Sequence, residues 1–193
     1  VEYRYGDGCK LAGQSLYVQH VGNVRVKLHR PIPDSAEIKH VVIKRSIDKW
    51  YVCLMLDIPD VAPPVHDGPA VGIDVGVHHL LALSDGGIVE NPRWLRHRLA
   101  KLRVAQRRLS RRKKFGGGWR KAALQVAKLQ EHVANQRLDF WHKTTTDLAR
   151  QYSYIAIEDL NLTFMTRNGS LSLSAHDAAL GAFRQLLSYK VEN

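Results

Sequence analysis

The sequence predicts an α/β fold in which a small antiparallel β module precedes a mixed sheet that carries a long helical hairpin. Three observations predict it. Short segments of alternating apolar and polar residues fill the N-terminal third of the chain. Two later apolar runs end in Asp74 and in Glu158, as strands of one sheet would. Two long segments with helical apolar spacing lie between those runs.

The N-terminal part contains two pairs of candidate strands. The first pair, residues 15–28, alternates apolar with polar side chains, and Gly22 and Asn23 within it are typical of a hairpin turn. The second pair comprises residues 40–45 and 49–56, and strands at this spacing predict a small antiparallel barrel. The module either only packs against its neighbour or binds a ligand. Its candidate phosphate contacts are Arg25, Lys27, His29, Arg30, Lys44 and Arg45.

A proline-rich stretch separates this module from the rest of the chain. Pro63 and Pro64 cannot continue a strand, and the stretch has no apolar periodicity. We therefore expect a β-rich module at residues 1–60, a linker at 61–69 and an α/β domain at 70–193.

Two carboxylates at strand ends form the candidate chemical site. Residues 70–73 are an apolar run typical of a strand buried on both faces, and Asp74 follows it. Residues 154–157 are a second such run, which ends at Glu158. Oxygen ligands suit Mg²⁺, and a cation between two carboxylates offsets their repulsion. An acid after one apolar strand is more often a turn or cap residue, and the residues alone leave that alternative open.

A strong run of positive charge follows the first of these strands. Residues 93–121 hold thirteen lysines and arginines and no acid, and leucines at helical spacing predict an amphipathic helix over residues 93–114. A run of one sign repels itself unless an anion lies against it, which favours a nucleic acid as partner. A solvated face and a membrane surface are the alternatives. The candidate contacts are Arg103, Arg107, Arg108, Arg111, Arg112, Lys113 and Lys114.

The remaining elements complete one sheet and its helices. Residues 78–84 and 88–90 predict a hairpin that extends the first strand. A second helix at residues 120–150 leads the chain to residues 154–157. Its stripe, expected to pack on the sheet and the first helix, is Val126, Leu129, Val133, Gln136, Phe140, Thr144 and Leu148. We expect that last strand beside the strand at residues 70–73 and parallel to it.

The C-terminal part predicts a polar loop and then another helix. The loop is expected at residues 161–174, near the carboxylates, and the helix begins at Ser174. Asp177 could be argued as a third metal ligand. A first-turn residue favoured by the helix dipole is the preferred interpretation.

The composition agrees with a nucleic-acid partner. Lysine and arginine total 29 against 18 acids, which gives a net charge of +11, and such an excess favours phosphate backbones. Cys9 and Cys53 alone predict neither a zinc site nor a disulfide framework. No apolar stretch has the length of a membrane span, and no signal-peptide pattern is present, so a cytoplasmic protein is expected.

Five spaced motifs, in this order, resemble TnpB, the OrfB-type protein of bacterial and archaeal insertion sequences. They begin with Gly72-Ile73-Asp74-Val75-Gly76 and Asn91-Pro92-Arg93-Trp94, and they end with Ile157-Glu158-Asp159-Leu160-Asn161. Between them lie Arg107-Arg108-Leu109-Ser110-Arg111-Arg112-Lys113-Lys114 and Ala134-Asn135-Gln136-Arg137. TnpB is an RNA-guided DNA endonuclease, described as a transposase and related to the type V CRISPR effectors.

The resemblance implies a fold, a site and partners. It implies an RNase H-like (RuvC-like) nuclease domain at residues 70–193, and a wedge-like module at residues 1–60 that grips guide RNA. It further implies that Asp74 and Glu158 hold catalytic Mg²⁺ or Mn²⁺, with guide RNA from the transposon end and target DNA as partners. The family's recognition helices, zinc module and last catalytic aspartate have no counterpart in this sequence. We therefore expect a fragment that is inactive or weakly active and binds no zinc.

Two alternative functions remain open at this point. A nuclease-dead protein could keep the fold for nucleic-acid binding and regulation, without a metal. A transposase would use the same carboxylates but would attack with a 3′ hydroxyl and transfer a DNA strand.

Overall fold

The computed structural model describes residues 1–59, 67–158 and 172–191. The chain forms two compact units, Val1–Ala62 and Pro63–Asn193. Of the predicted linker, residues 61–66 lie outside the described residues, and residues 67–69 have no regular secondary structure.

The first unit consists of six short strands. They are β1 (Glu2–Arg4), β2 (Cys9–Ala12), β3 (Ser15–Val18), β4 (Gly22–Arg25), β5 (Glu37–Ser46) and β6 (Lys49–Asp57). Strands β5 and β6 form the hairpin predicted from the second strand pair. Hydrogen bonds join the six strands into two antiparallel sheets, ordered β1-β5-β6 and β2-β3-β4. The described strands therefore form two antiparallel sheets, and no hydrogen-bonded ladder among them closes the small antiparallel barrel that was predicted.

One apolar core joins the two sheets of the first unit. Cys9, Leu16 and Val18 from one sheet and Val41 from the other are at most 3% exposed. Because alternate residues of a strand point to opposite faces, each sheet has one apolar face. Two such faces can cover each other without closing into a barrel.

The β3–β4 turn lies slightly earlier than predicted. Residues 19–21 form a three-residue loop, and Gly22 and Asn23 already belong to β4. His20 and Gly22 both have a positive φ, at 65° and 92°. Loops of three residues often end in a glycine of this conformation. Gly22 therefore marks the end of the loop and not its centre.

The second unit is built on a four-stranded sheet. Its strands are β7 (Ala70–Val75), β8 (His79–Leu83), β9 (Ile88–Glu90) and β10 (Tyr154–Ile157), in the order β10-β7-β8-β9. Strands β7, β8 and β9 pair antiparallel, whereas β10 lies beside β7 and parallel to it. The predicted hairpin and the predicted parallel neighbour are both confirmed. The architecture is mixed α/β.

Strand β7 is buried on one face only. Val71, Ile73 and Val75 are at most 6% exposed, whereas Ala70 and Asp74 are exposed. The expectation that both faces are buried is therefore wrong for the described residues. An all-apolar run carries no alternation in its sequence, so it could not indicate which face packs.

Four helices are described in the second unit. They are α1 (Trp94–Ser110), α2 (Gly117–Gln151), α3 (Ser172–Ala178) and α4 (Leu180–Val191). Residues 161–171 of the predicted loop lie outside the described residues. Residues 172–174, its last three, belong to α3. None of the described helices combines the length and the apolar composition that a bilayer crossing requires.

Helix α1 is shorter than predicted. It ends at Ser110, so the four cations from Arg111 to Lys114 lie in the connection to α2. After Leu109 the next large apolar residue is Phe115, so further helical turns would bury little. Adjacent cations would also repel each other along those turns. Helix α2 then begins at Gly117, three residues before its predicted start at residue 120.

The core of the second unit lies between the sheet and helices α2 and α4. Trp141 and Phe183 are fully buried there, with ring centroids 4.7 Å apart. The Trp141 indole Nε1 donates a hydrogen bond to the carbonyl of Ala178 at 2.8 Å. The predicted α2 stripe included Phe140 and Thr144, but the buried residues are Trp141 and Thr145. The predicted stripe is therefore confirmed at Val126, Val133 and Leu148 and displaced by one residue at these two positions.

A lysine near the end of α4 forms hydrogen bonds with α2. The Lys190 ammonium donates hydrogen bonds to the His142 carbonyl at 2.6 Å and to the hydroxyls of Thr145 and Thr146 at 2.9 and 2.6 Å. Burial lowers the pKa of Lys190 from its ordinary value. The three acceptors hold the end of α4 against α2.

Candidate functional site

Asp74 and Glu158 lie side by side at one edge of the second sheet. In the β7–β10 ladder Ile73 is opposite Ile157. Asp74 comes next in β7, and Glu158 directly follows the last residue of β10. Neighbouring strands lie about 4.8 Å apart, and paired residues of adjacent strands point to the same face. Both carboxylates are exposed and line the same depression. The two acids that the sequence singled out are therefore brought together on one surface.

Small residues form the floor of this depression. Gly72, Ala82 and Ala156 lie on the same exposed face as the two carboxylates, beside Ser84. The depression is open and has a volume of about 510 Å³. The sequence analysis missed this floor, although each of three neighbouring strands has a small residue at a position that alternates with apolar ones. The floor leaves space above the sheet for a ligand of nucleotide size.

Contacts at the start of β7 and β10 fix the register of these strands. The Ser153 hydroxyl donates a hydrogen bond to the Gly68 carbonyl, and the Ser153 amide donates one to the Pro69 carbonyl. A Cβ atom on Gly68 would lie 2.3 Å from the carbonyl oxygen of Gln151. Only glycine allows this approach, so Gly68 helps to set the pairing that places Asp74 beside Glu158.

A tyrosine–aspartate contact joins the end of α2 to the β8–β9 turn. The Tyr152 hydroxyl donates a hydrogen bond to Asp85 Oδ2 at 2.5 Å, and the Gly87 amide donates one to Oδ1 at 2.9 Å. These bonds lower the pKa of Asp85, with the tyrosine as the larger cause, and the same contact raises the pKa of Tyr152. Asp85 therefore acts as a turn residue on the opposite side of the hairpin from the two candidate ligands.

The metal-binding capacity of the depression rests on two carboxylates. Their oxygens are the ligands that Mg²⁺ and Mn²⁺ accept, so the donor set fits such a cation. Within residues 1–59, 67–158 and 172–191, no three His, Cys, Asp or Glu side chains cluster closely enough to hold a metal ion. Asp159, which follows Glu158, lies outside the described residues.

Asp177 has a structural role that differs from the predicted one. It lies in the last turn of α3 and not in a first turn, and its side chain is 3% exposed. Its oxygens accept hydrogen bonds from the amides of Leu95 and Arg96, at 2.8 and 3.2 Å, and from the Arg137 guanidinium at 3.0 Å. Since Arg93, the residue before α1, makes no side-chain cap, Asp177 caps α1 from another helix. These contacts occupy both oxygens of the carboxylate.

The candidate phosphate contacts of the hairpin are all exposed. Arg103, Arg107 and Arg108 lie on α1, and Arg111, Arg112, Lys113 and Lys114 lie in the connection that follows. Arg107 and Arg108 are successive residues about 100° apart around the helix, so their side chains lie on different sides of α1.

A groove between α1 and α2 contains further basic side chains that the sequence analysis did not name as contacts. Arg108 lines it together with Lys101, Lys128 and His132. The Arg98 guanidinium contacts His132 Nε2 at 2.6 Å, which requires that ring nitrogen to be the acceptor because arginine can only donate. The signal for this groove was present in α2, where Lys128 and His132 are four residues apart and share one face.

The cations of the first unit do not form one face. Lys44 and Arg45 are adjacent on β5 and therefore point to opposite faces, opposite Tyr51 and Trp50. The Arg45 guanidinium lies 5.9 Å from the Trp50 ring centroid, a cation–π arrangement. Arg25 is exposed on β4, and Lys27, His29 and Arg30 are exposed in the segment after it. Lys44 and Arg45 therefore cannot both contribute to one contact surface.

Charge reversal in the hairpin tests whether its cations contact phosphates. Replacing Arg107, Arg108, Arg111 and Arg112 with glutamate should weaken nucleic-acid binding and flatten its salt dependence. The slope of log K against log salt should fall by roughly 0.7–0.9 for each phosphate that is no longer neutralised, measured by fluorescence anisotropy. Lys143→Glu is the control, because Lys143 is exposed on α2 and pairs with Asp139. An unchanged slope in the fourfold variant would show that these cations are only solvated.

Comparison with known proteins gives the family. The chain is 34% identical over 179 residues to a Streptomyces pristinaespiralis protein named "Putative RNA-guided DNA endonuclease". These aligned residues make up 92% of this chain and 44% of the relative. It is 32% identical over 175 residues to "Putative RNA-guided DNA endonuclease InsQ" of Escherichia coli (strain K12), covering 89% of this chain and 43% of the relative. The chain thus spans less than half the length of these relatives.

A family match agrees with these pairwise similarities. Residues 52–169 match OrfB_IS605, a family described as "Probable transposase". The matched range includes Asp74, Glu158 and the whole helical hairpin. Because the match covers more than half of the sequence, the chain belongs to the OrfB_IS605 family, to which the TnpB-type proteins belong.

Proposed function

We propose that the chain is the part of an RNA-guided DNA endonuclease that carries a metal-dependent, RuvC-like site for phosphodiester hydrolysis. The observation that supports this most directly is the placement of Asp74 and Glu158 on neighbouring parallel strands, above a floor of small residues. The names of the relatives support the same activity at the level of the whole protein. The RNase H-like topology is part of the proposal, and the mixed sheet is compatible with it.

In this proposal the residues of the depression have separate tasks. Asp74 and Glu158 would hold Mg²⁺ or Mn²⁺ through their carboxylate oxygens. When bound, the cation supplies charge stabilisation for the scissile phosphate and a lowered pKa for the attacking water. Gly72, Ala82 and Ala156 leave room for the sugar–phosphate chain above the sheet. The cations of the helical hairpin hold the strand through its phosphates.

The partners in this proposal are a guide RNA and a target DNA. Base pairing between them would read the sequence, so the protein itself needs mainly backbone contacts. The net charge of +11 and the exposed cations of both units support such contacts. Arg25, Lys27, Arg30, Lys44 and Arg45 are the proposed contacts of the first unit, divided between different surfaces as described above.

Metal binding and cleavage test the proposal together. We expect Mg²⁺ or Mn²⁺ to bind the protein, and we expect Asp74→Asn and Glu158→Gln each to weaken that binding at least tenfold by calorimetry. Any Mg²⁺-dependent cleavage of single-stranded DNA by the 193-residue chain should be weak and should disappear in both variants, because two carboxylates alone hold and orient a cation incompletely. Glu90→Gln is the matched control, since Glu90 is exposed on the same sheet and pairs with His79. Metal binding that survives both substitutions would remove the proposed site.

The description of the family as a transposase favours one second candidate, DNA strand transfer. The same carboxylates would then activate a 3′ hydroxyl in place of water. End-labelled DNA distinguishes the two, because strand transfer gives a joined product longer than the substrate and hydrolysis gives only shorter products. A nuclease-dead binding protein would give neither product and would bind no divalent cation at Asp74 and Glu158.

A further inference from the structure

An exposed aromatic pair lies at the tip of the helical hairpin. Phe115, in the connection between α1 and α2, is 74% exposed. Trp119 lies in the first turn of α2, and the two ring centroids are 5.5 Å apart at an angle of 51°. Phenylalanine is among the residues most often buried, and here most of its surface faces solvent. Packing within the chain accounts for the contact with Trp119 but not for this exposure.

The backbone at Phe115 is in an unfavourable conformation. Its φ is 66°, in the left-handed region that glycine and asparagine normally occupy. A large side chain there is strained, although Gly116, Gly117 and Gly118 follow directly and glycine adopts this conformation without strain. The chain therefore places an aromatic ring in the one position of this turn that disfavours it, and the ring points into solvent.

Cations surround the pair on both sides in the sequence. Six lie within the connection and the first turns of α2, and all six are exposed; they are Arg111, Arg112, Lys113, Lys114, Arg120 and Lys121. The Arg112 guanidinium packs near the first turn of α2, 3.6 Å from where a Cβ of Gly118 would lie. No acidic residue occurs between residues 93 and 121. An aromatic surface with this surrounding charge complements a polyanion that also has flat apolar groups.

We propose that Phe115 and Trp119 form a stacking site for an unpaired nucleobase of a bound single strand, while the surrounding cations contact its phosphates. Single-stranded nucleic acids are bound in this way by aromatic side chains within positively charged grooves. The site rests on the nucleic-acid binding proposed above and adds to it an apolar contact that needs an unpaired base. Duplex nucleic acid, whose bases are already stacked, would gain nothing from the pair except at its ends.

The experiment separates stacking from charge and from stability. A 12-nucleotide single strand with one 2-aminopurine serves as the probe, in DNA and RNA forms, together with a blunt duplex of the same sequence. We expect Phe115→Leu and Trp119→Leu each to weaken single-strand binding roughly 5- to 100-fold, because a base–aromatic stack has about that effect. The salt slope and the duplex affinity should stay unchanged. Lys114→Gln removes a charge and no ring, so it should flatten the salt slope of binding. Ile88→Ala, which removes an exposed apolar side chain on β9, should leave the affinities and the salt slope unchanged.

Phe115→Gly distinguishes a binding role from a structural one. Glycine relieves the strain at this φ, so the thermal midpoint should be unchanged or raised while single-strand affinity falls. Quenching of 2-aminopurine on binding to the wild type, absent in both leucine variants, would confirm stacking. Unchanged affinity in Phe115→Leu and Trp119→Leu, or an equal loss for duplex and single strand, would overturn the stacking site while leaving nucleic-acid binding intact. If the wild type bound none of the probes, the proposed nucleic-acid binding itself would fail.

Discussion

Replacing Trp141 with alanine should lower the free energy of unfolding by about 3–5 kcal/mol. The side chain is fully buried, packs on Phe183 and Phe140, and donates a hydrogen bond to the Ala178 carbonyl. Its removal would leave a cavity at the centre of the second unit and a buried carbonyl without its donor. A domain is typically stable by only about 5–15 kcal/mol, so this loss would be a large part of the total.

Urea unfolding followed by far-UV circular dichroism measures this effect without relying on tryptophan fluorescence. The free energy of unfolding should fall less in Trp141→Phe than in the alanine variant, because phenylalanine keeps the aromatic packing and removes only the indole donor. Trp50→Ala is the control for loss of a tryptophan at the surface, since Trp50 is 69% exposed, and its effect should stay within about 1 kcal/mol. Equal losses in Trp50→Ala and Trp141→Ala would contradict the central role assigned to Trp141.

Replacing Asp177 with alanine should also destabilise the second unit by about 3–5 kcal/mol. The substitution leaves the Arg137 guanidinium, whose side chain is 19% exposed, without its carboxylate. Within the described residues the Arg137 Nε is already buried without a hydrogen-bond partner, so the carboxylate is its main compensation. The amides of Leu95 and Arg96 at the start of α1 would lose their acceptor as well.

Two further variants separate the charge of Asp177 from its hydrogen bonds. Asp177→Asn keeps one acceptor oxygen. Its free energy of unfolding, measured in urea, should therefore lie between those of the wild type and the alanine variant. Asp139→Ala removes an exposed acid that pairs with Lys143 on α2, and it should cost about 0.5 kcal/mol or less. A loss below about 1 kcal/mol in Asp177→Ala would show that Asp177 is not needed to cap α1.

The sequence predicted the second sheet well because its signals are local. The β8–β9 hairpin has a short turn between two apolar segments, and β7 and β10 are apolar runs too short for buried helices. A crossover helix between two such strands places them in parallel, and the run of cations and leucines identified most of α1. The placement of Asp74 and Glu158 at one depression followed from these local features.

Other features depend on contacts between distant residues and could not be predicted. Asp177 caps a helix whose first residues are 82 positions earlier in the sequence, so no local pattern indicates it. In α2 the predicted stripe and the buried residues agree at Val126, Val133 and Leu148 and differ by one residue at Trp141 and Thr145. Trp141 packs on Phe183 and donates a hydrogen bond to the carbonyl of Ala178, 37 positions later in the sequence, so no local spacing could indicate it. The face of β7 that packs is decided by α2 and α4, not by its own composition.

The parallel pairing of β7 with β10 also determines when the candidate site can form during folding. Ser153 and Gly68, which join the starts of these two strands, are 85 residues apart in the sequence. Closing so long a loop carries an entropic cost before any contact compensates for it, and contacts of this range are associated with slow folding. The β7–β9 strands and the α1–α2 hairpin can form from neighbouring residues. Asp74 would therefore stay in solvent, without Glu158, until the last strand docks, and the two carboxylates would meet among the final steps.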